Sequence, residues 1–228
     1  MSDLSSIIVA ISVWALPVLF AVTFHEAAHG FVANALGDDT ARMEGRLTLN
    51  PFAHIDPFGT ILLPLMLLAF TSFAFGYARP VPVNPVRLGN PRRDMILVAL
   101  AGPAANLLLA LLAAILLPIL ATYGGVARDW AIQMLGVMVF FNCLIAVFNL
   151  LPIPPLDGGR VVHGLLPSAL ARRYTGLEQW GMLIVVGGLF LLPMLLRELG
   201  IGFNPANWLV LAPADTLYRG IMGLVGIS

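Results

Sequence analysis

The stretch IIVAISVWALPVLFAVTFHEAAHGFVANAL, Ile7 to Leu36, decides the architecture of this protein. As a helix it would be about 45 Å long at 1.5 Å per residue, more than the roughly 30 Å of a bilayer's hydrocarbon core. The whole chain has the same character: 59% of its 228 residues are hydrophobic and 11% are charged, against roughly 45 to 50% and about 25% in soluble domains. With a mean hydropathy of +0.92 there is too little polar surface to cover a water-facing globule, so the solvent is lipid. The formal net charge is zero and every basic residue is an arginine, which leaves no electrostatic footprint for a nucleic acid partner. The one cysteine, Cys143, lies in an apolar run and reads as a small inert hydrophobe. The first apolar run follows Asp3 with no positive leader and no small-residue cleavage pattern, so it is expected to be retained.

Four more apolar runs follow, at Phe58 to Phe75, Met95 to Ala121, Trp130 to Leu151 and Trp180 to Leu196. The tail, Asn204 to Ser228, is interrupted by Pro205, Pro213, Asp215 and Arg219, and reads as a sixth span, an interfacial helix or both in sequence. Arginines orient the chain: Arg42 and Arg46, Arg87 to Arg93, and Arg160 to Arg173 form clusters that the positive-inside rule places in the cytoplasm, with Arg128 and Arg197 opposite. The run Phe58 to Phe75 has inside-type charge on both flanks, so it is expected to enter and return. Gly76 to Pro85, GYARPVPVNP, reads as extended chain. Its Pro80 and Pro82 lack donors on one edge while Val81 and Val83 present theirs on the other. The expected fold is an all-α polytopic membrane protein with five to six transmembrane helices. A re-entrant helix and an extended segment lie between the first span and the Met95 span. The chain reads as one integral membrane domain, 1–228, with a core over 7–160 and C-terminal helices over 177–228.

Within the first helix stands His25-Glu26-Ala27-Ala28-His29. Given four His and four Glu in the chain, this H-E-x-x-H pattern arises by chance in roughly one such chain in a thousand, so it carries weight. Residues four apart share a helix face, so both imidazoles can reach one zinc ion with Glu26 beside them as the base for water. A carboxylate at membrane depth costs about 2.5 to 3.5 kcal/mol on insertion scales, which argues against mere decoration. A catalytic zinc usually has three protein ligands and an open position. The best third candidate is Asp157 in N-L-L-P-I-P-P-L-D-G-G, Asn149 to Gly159, where Pro and Gly break the fourth span. The arginine pattern places it on the same side as the two histidines.

These two motifs resemble the site-2 protease family of intramembrane zinc metalloproteases. Gly45 to Thr60 (GRLTLNPFAHIDPFGT), Ala78 to Pro85 (ARPVPVNP) and Ala101 to Asn106 (AGPAAN) resemble its compact prokaryotic branch, so the similarity covers about Phe24 to Arg160. The resemblance implies His25, His29 and Asp157 as ligands of one catalytic Zn2+ and Glu26 as catalytic acid and base. It implies Asn149 as a holder of substrate or its oxyanion, and a place for His54 beside the site against the substrate carbonyl. The PDZ insert and CBS appendage of larger members are missing. Residues beyond Arg173 carry no motif that can be placed.

Other readings stand beside these. His54 is equally a turn-stabilising histidine, Asn106 either packs helices through a hydrogen bond or contacts substrate, and His163 reads as interfacial. Val81 and Val83 are expected to pair with an unwound substrate by strand addition, because an intact helix hides its carbonyls. Expected partners are the bilayer and single-span or other membrane-protein substrates, in a prokaryotic plasma membrane, with the active site toward the cytoplasm and regulated intramembrane proteolysis as the process. The rival function is a non-proteolytic metal transporter or scaffold, which gives no reason for Glu26 between two histidines.

Overall fold

The computed structural model describes residues 4–62, 66, 76 and 78–227. Helix α1 is Leu4–Ala35, and a short helix, α2, Thr40–Met43, follows it. A 3-10 turn at Pro51–Ala53 and a wide helical turn at Pro57–Leu62 follow, and residues 78–84 run without helix into a second 3-10 turn, Pro85–Arg87. Two long helices come next, α3 at Pro91–Ala121 and α4 at Val126–Asn149. They lead to the short α5 at Asp157–Leu165 and α6 at Ser168–Thr175. The chain ends with α7, Glu178–Glu198, and α8, Ala212–Leu224, which continues the wide turn Asn207–Leu211.

The described residues contain no strand, so the all-α expectation holds. Among the described residues, four helices are long and apolar enough to cross a membrane: Ile8–Ala35, Pro91–Ala121, Val126–Asn149 and Glu178–Glu198. The re-entrant reading of Phe58 to Phe75 lies for the most part outside the described residues. The tail packs lengthwise on α4: Val210 shares a cluster with Leu151, Val185 and Leu189, while Ile221 and Met222 join Leu117, Leu135 and Val139. With Tyr218 edge-on to Phe140 between these clusters, α8 runs antiparallel to α4.

Helices α1, α3 and α4 pack against one another through small side chains. Ala21, Ala33, Ala99, Ala110, Ala114 and Ala146 are completely buried. Lipid tails are as apolar as leucine, so helices in a membrane associate through close backbone approach and interhelical hydrogen bonds rather than through the hydrophobic effect. The large residues, among them Trp14, Phe20, Leu108 and Leu112, point outward instead.

Turn chemistry sets where the helices begin. Asn-Pro occurs at Asn50, Asn84, Asn90 and Asn204, and each asparagine oxygen accepts a backbone N–H: from Phe52, Val86, Arg93 and Asn207 respectively. A short polar side chain ahead of a proline at the first helical position satisfies an orphan donor where the proline needs none. At α3 the box closes reciprocally, since the Asn90 N–H donates to Asp94 Oδ2 at 2.7 Å.

Candidate metal centre

Helical periodicity places His25 and His29 one turn apart on the inward face of α1, with Nε2 atoms 3.1 Å from each other. The third group arrives from 128 residues further along the chain. Asp157 is the first residue of α5, and its Oδ2 lies 3.1 Å from His25 Nε2 and 3.3 Å from His29 Nε2. All three side chains are buried, and among the described residues they form the one His/Cys/Asp/Glu group that could hold a metal ion. The glycines after Asp157 make this approach feasible. A Cβ on Gly158 would sit 2.2 Å from the Leu150 carbonyl oxygen, and one on Gly159 would sit 2.7 Å from the Pro154 nitrogen. The loop between α4 and α5 therefore folds back onto a backbone that has no room for side chains.

The hydrogen bonds decide which atoms face the cluster. Nδ1 of His25 lies 2.7 Å from Asn106 Oδ1, and Nδ1 of His29 lies 2.7 Å from the Val98 carbonyl. A carbonyl oxygen only accepts, so each Nδ1 carries the proton and each neutral ring turns its Nε2 lone pair toward the other. The Asn106 amide cannot be flipped, because its Nδ2 donates to the Ala21 carbonyl at 3.0 Å and to Asn142 Oδ1 at 2.9 Å. Asn142 is set in turn by donation to the Met138 carbonyl at 2.8 Å. Two lone pairs and a carboxylate oxygen that is buried without a hydrogen-bond donor, Asp157 Oδ2, repel one another unless a cation lies among them. The donor set, two imidazoles and one carboxylate, suits a catalytic zinc site, with outer hydrogen bonds of the usual kind behind the ligands. Gly102 supplies the space: a Cβ there would stand 2.5 Å from His29 Nε2 and 2.6 Å from His25 Cε1.

Glu26 Oε2 accepts the Val81 N–H at 2.8 Å. The segment that supplies this donor is also tied to the rest of the fold at Arg79 and Asn84. Arg79 N–H donates to the His54 carbonyl, Arg46 Nη2 donates to the Arg79 carbonyl at 2.9 Å, and Asn84 N–H donates to Asp38 Oδ2 at 2.6 Å. The Val81 side chain rests over Gly30, one turn beyond Glu26, where an added Cβ would meet it at 3.0 Å. Of the two valine donors expected to be open, Val81's is therefore engaged with Glu26, while Val83's has no partner among the described residues.

The remaining expected residues are placed as follows. His54 is buried and its Nε2–H donates to the Thr48 carbonyl at 2.9 Å, with Nδ1 left without a partner. It braces a turn whose own carbonyl receives Arg79. Asn149 closes α4 and donates to the Ile145 carbonyl at 3.1 Å, with no hydrogen bond to the three-residue cluster. Asn106 stands behind His25 with both ends of its amide engaged, and His163 is exposed on α5. Sequence reasoning passed over Asn142 and Gly102. A lone asparagine in the middle of an apolar span was the available signal for the first, since a buried amide must find partners. The second needed the α1–α3 contact to be known.

The profile of peptidase family M50 matches residues 13–124 and 118–194. The chain is 42% identical over 176 residues to a Bacillus subtilis protein named "Putative zinc metalloprotease YwhC", covering 75% of this chain and 77% of that one. It is 34% identical over 171 residues to Rip2 of Mycolicibacterium smegmatis, covering 74% and 62%, and 34% identical over 183 residues to Rip2 of Mycobacterium tuberculosis, covering 78% and 66%. No solved structure matches. With the match running through α1, α3, α4 and α5, which carry the cluster, the chain belongs to peptidase family M50, the site-2 protease family of membrane zinc metalloproteases.

Proposed function

We propose that this metalloprotease cleaves peptide bonds within or beside the transmembrane segments of membrane-protein substrates, at a site near the cytoplasmic end of α1. The observation that carries the reading is the convergence of His25, His29 and Asp157 inside a span that continues to Ala35, with Glu26 alongside. His25, His29 and Asp157 are the proposed zinc ligands. When bound, zinc supplies a Lewis acid that lowers the pKa of water to about 7 and polarises the scissile carbonyl.

The chain's own residues do the rest. Glu26 takes a proton from water and returns it to the departing amine. The Val81 N–H fixes the carboxylate's orientation, which is what a proton carrier needs to be in reach at both steps. The Asn149 amide, once it leaves the Ile145 carbonyl, is the proposed donor to the oxyanion, and His54 supports the wall of the site against the substrate backbone. A helical substrate has to unwind before its carbonyls become available, and the open edge formed by the Val81 carbonyl and the Val83 N–H is the proposed place for it to pair. Release of a membrane-tethered signalling protein and clearance of remnant signal peptides both present such a helix.

The test is cleavage of a single-span substrate by the purified protein in detergent. Wild type is expected to cut, and Glu26→Gln or zinc chelation is expected to abolish cutting while Glu26→Gln still binds zinc. A zinc-loaded wild type that cuts no single-span substrate but carries zinc across liposome membranes equally well with and without Glu26→Gln would establish the transport reading instead.

A further inference from the structure

A second concave site lies beyond the zinc cluster, between the start of α3 and helices α5 and α6. It has a volume of about 560 Å3, and its ionisable lining is Arg92, Arg160, His163, Arg172 and Glu178. Three guanidinium groups thus face one carboxylate, in a chain whose overall charge is zero. Two of the three are uncommitted. Arg172 makes no ion pair among the described residues, and Arg92 uses its Nε on the Gly164 carbonyl at 2.8 Å, which leaves both Nη groups for another acceptor. The rest of the lining is mainly apolar, Met95 and Pro155 among it, with Ser168, Tyr174 and Thr175 adding hydroxyl groups.

The convergence is built in by close packing. A Cβ on Gly164 would meet Ile96 Cγ1 at 2.5 Å and the Arg92 carbonyl at 3.1 Å, so only glycine lets α5 approach the first turn of α3 this closely. That contact puts Arg92 on the same cavity as Arg160 and His163, which lie three residues apart on one face of α5. Like charges brought together at such a contact repel unless an anion shares them. Guanidinium groups pair with phosphate through two parallel hydrogen bonds, and basic pockets between helices on the cytoplasmic side of membranes receive lipid headgroups.

We propose that this cavity binds the phosphate group of a phosphate ester, with Arg92 and Arg172 as the principal donors and the apolar lining against the remainder of the ligand. An anionic phospholipid headgroup and a soluble phosphate share this chemistry. The first fits the position of these arginines in the clusters assigned to the cytoplasmic face.

The test uses the full chain in nanodiscs of phosphatidylcholine containing a minor fraction of phosphatidylglycerol, with retained lipid counted by native mass spectrometry and inorganic phosphate binding measured separately in detergent. Arg160 is left intact because its Nη1 lies 3.8 Å from Asp157 Oδ1. The double variant Arg92→Gln, Arg172→Gln is used, with unchanged zinc stoichiometry as the sign that it is folded. Retention of phosphatidylglycerol by wild type that falls at least about tenfold in the variant supports a headgroup site, since hydrogen bonds between charged groups are worth that much or more. Binding of inorganic phosphate that depends on the two arginines, without lipid retention, upholds the anion site and assigns it to a soluble ligand. If neither ligand distinguishes wild type from the variant, the proposal is overturned. The phosphate arm is independent of membrane orientation and of proteolysis, so its failure is separable from failure of the functional reading.

Discussion

Two uncharged amides decide which nitrogen of His25 faces the cluster. Asn142 holds Asn106, and Asn106 takes the Nδ1 proton, so the tautomer that the proposed zinc ligand needs is set by residues outside the ligand set. Asn142→Leu removes the outer member while keeping its bulk. It is expected to weaken zinc binding about tenfold, the lower end of the range for outer-shell partners, as read by competition with a chelator. A second pair of residues separates two roles that the sequence could not distinguish. Val81→Pro deletes the donor to Glu26 and is expected to lower kcat with little change in KM. Val83→Pro deletes an open edge donor and is expected to raise KM for an unwound substrate. Zinc content is expected to be unchanged in both, and equal effects of the two on kcat alone would remove strand pairing from the mechanism. The motif H-E-x-x-H was legible because it is local, one turn of one helix. The partner of Glu26 was not, because it comes from 55 residues away in an extended segment.

At the scale of elements, the joint between the end of α1 and the extended segment depends on one carboxylate. Asp38 is fully buried and accepts the backbone N–H groups of Thr40 and Asn84 together with the Thr40 hydroxyl. Burial by itself would raise its pKa, but these hydrogen bonds outweigh it and hold the carboxyl below its ordinary value. For a depressed carboxyl the sign is fixed: the contribution to stability is present above the unfolded value, about 3.9, and is lost as pH falls through the folded one. Asp38→Asn is therefore expected to lower Tm at neutral pH and to flatten the decline of Tm on the acid side, measured by thermal unfolding in detergent across pH. An acid-side decline as steep in the variant as in wild type would locate that loss elsewhere. The start of α3 is local, since Asn90-Pro91 encodes both a capping oxygen and a missing donor. Helix partners were not legible in the chain, because the completely buried alanines of α1, α3 and α4 look in sequence like any other apolar residue.

For the whole molecule, the arginine pattern carries an expectation of sidedness. The chain returns through α3 and α4 between His29 and Asp157, so the cluster forms at one end of the bundle. Cys143 is buried, and in a Cys143→Ser background single-cysteine variants can report orientation. Arg93→Cys and Arg160→Cys are expected to react with an impermeant maleimide only from the cytoplasmic side, and Arg128→Cys and Arg197→Cys only from the other. The opposite pattern would invert the proposed membrane orientation and with it the side on which the active site opens.

The sequence by itself determined the lipid solvent, the all-α class and the zinc-type spacing of His25 and His29, because hydropathy and one-turn periodicity are both properties of neighbours along a chain. It also singled out Asp157, through a break in a span beside two glycines. Only the tertiary structure decided that Asp157 Oδ2 meets both Nε2 atoms, that Gly102 must leave them room, that Asn142 and Asn106 set the tautomer, and that Val81 holds Glu26. Each of these is a contact between segments distant in sequence, whose selection depends on how closely backbones can approach, and no local pattern of residues records that distance.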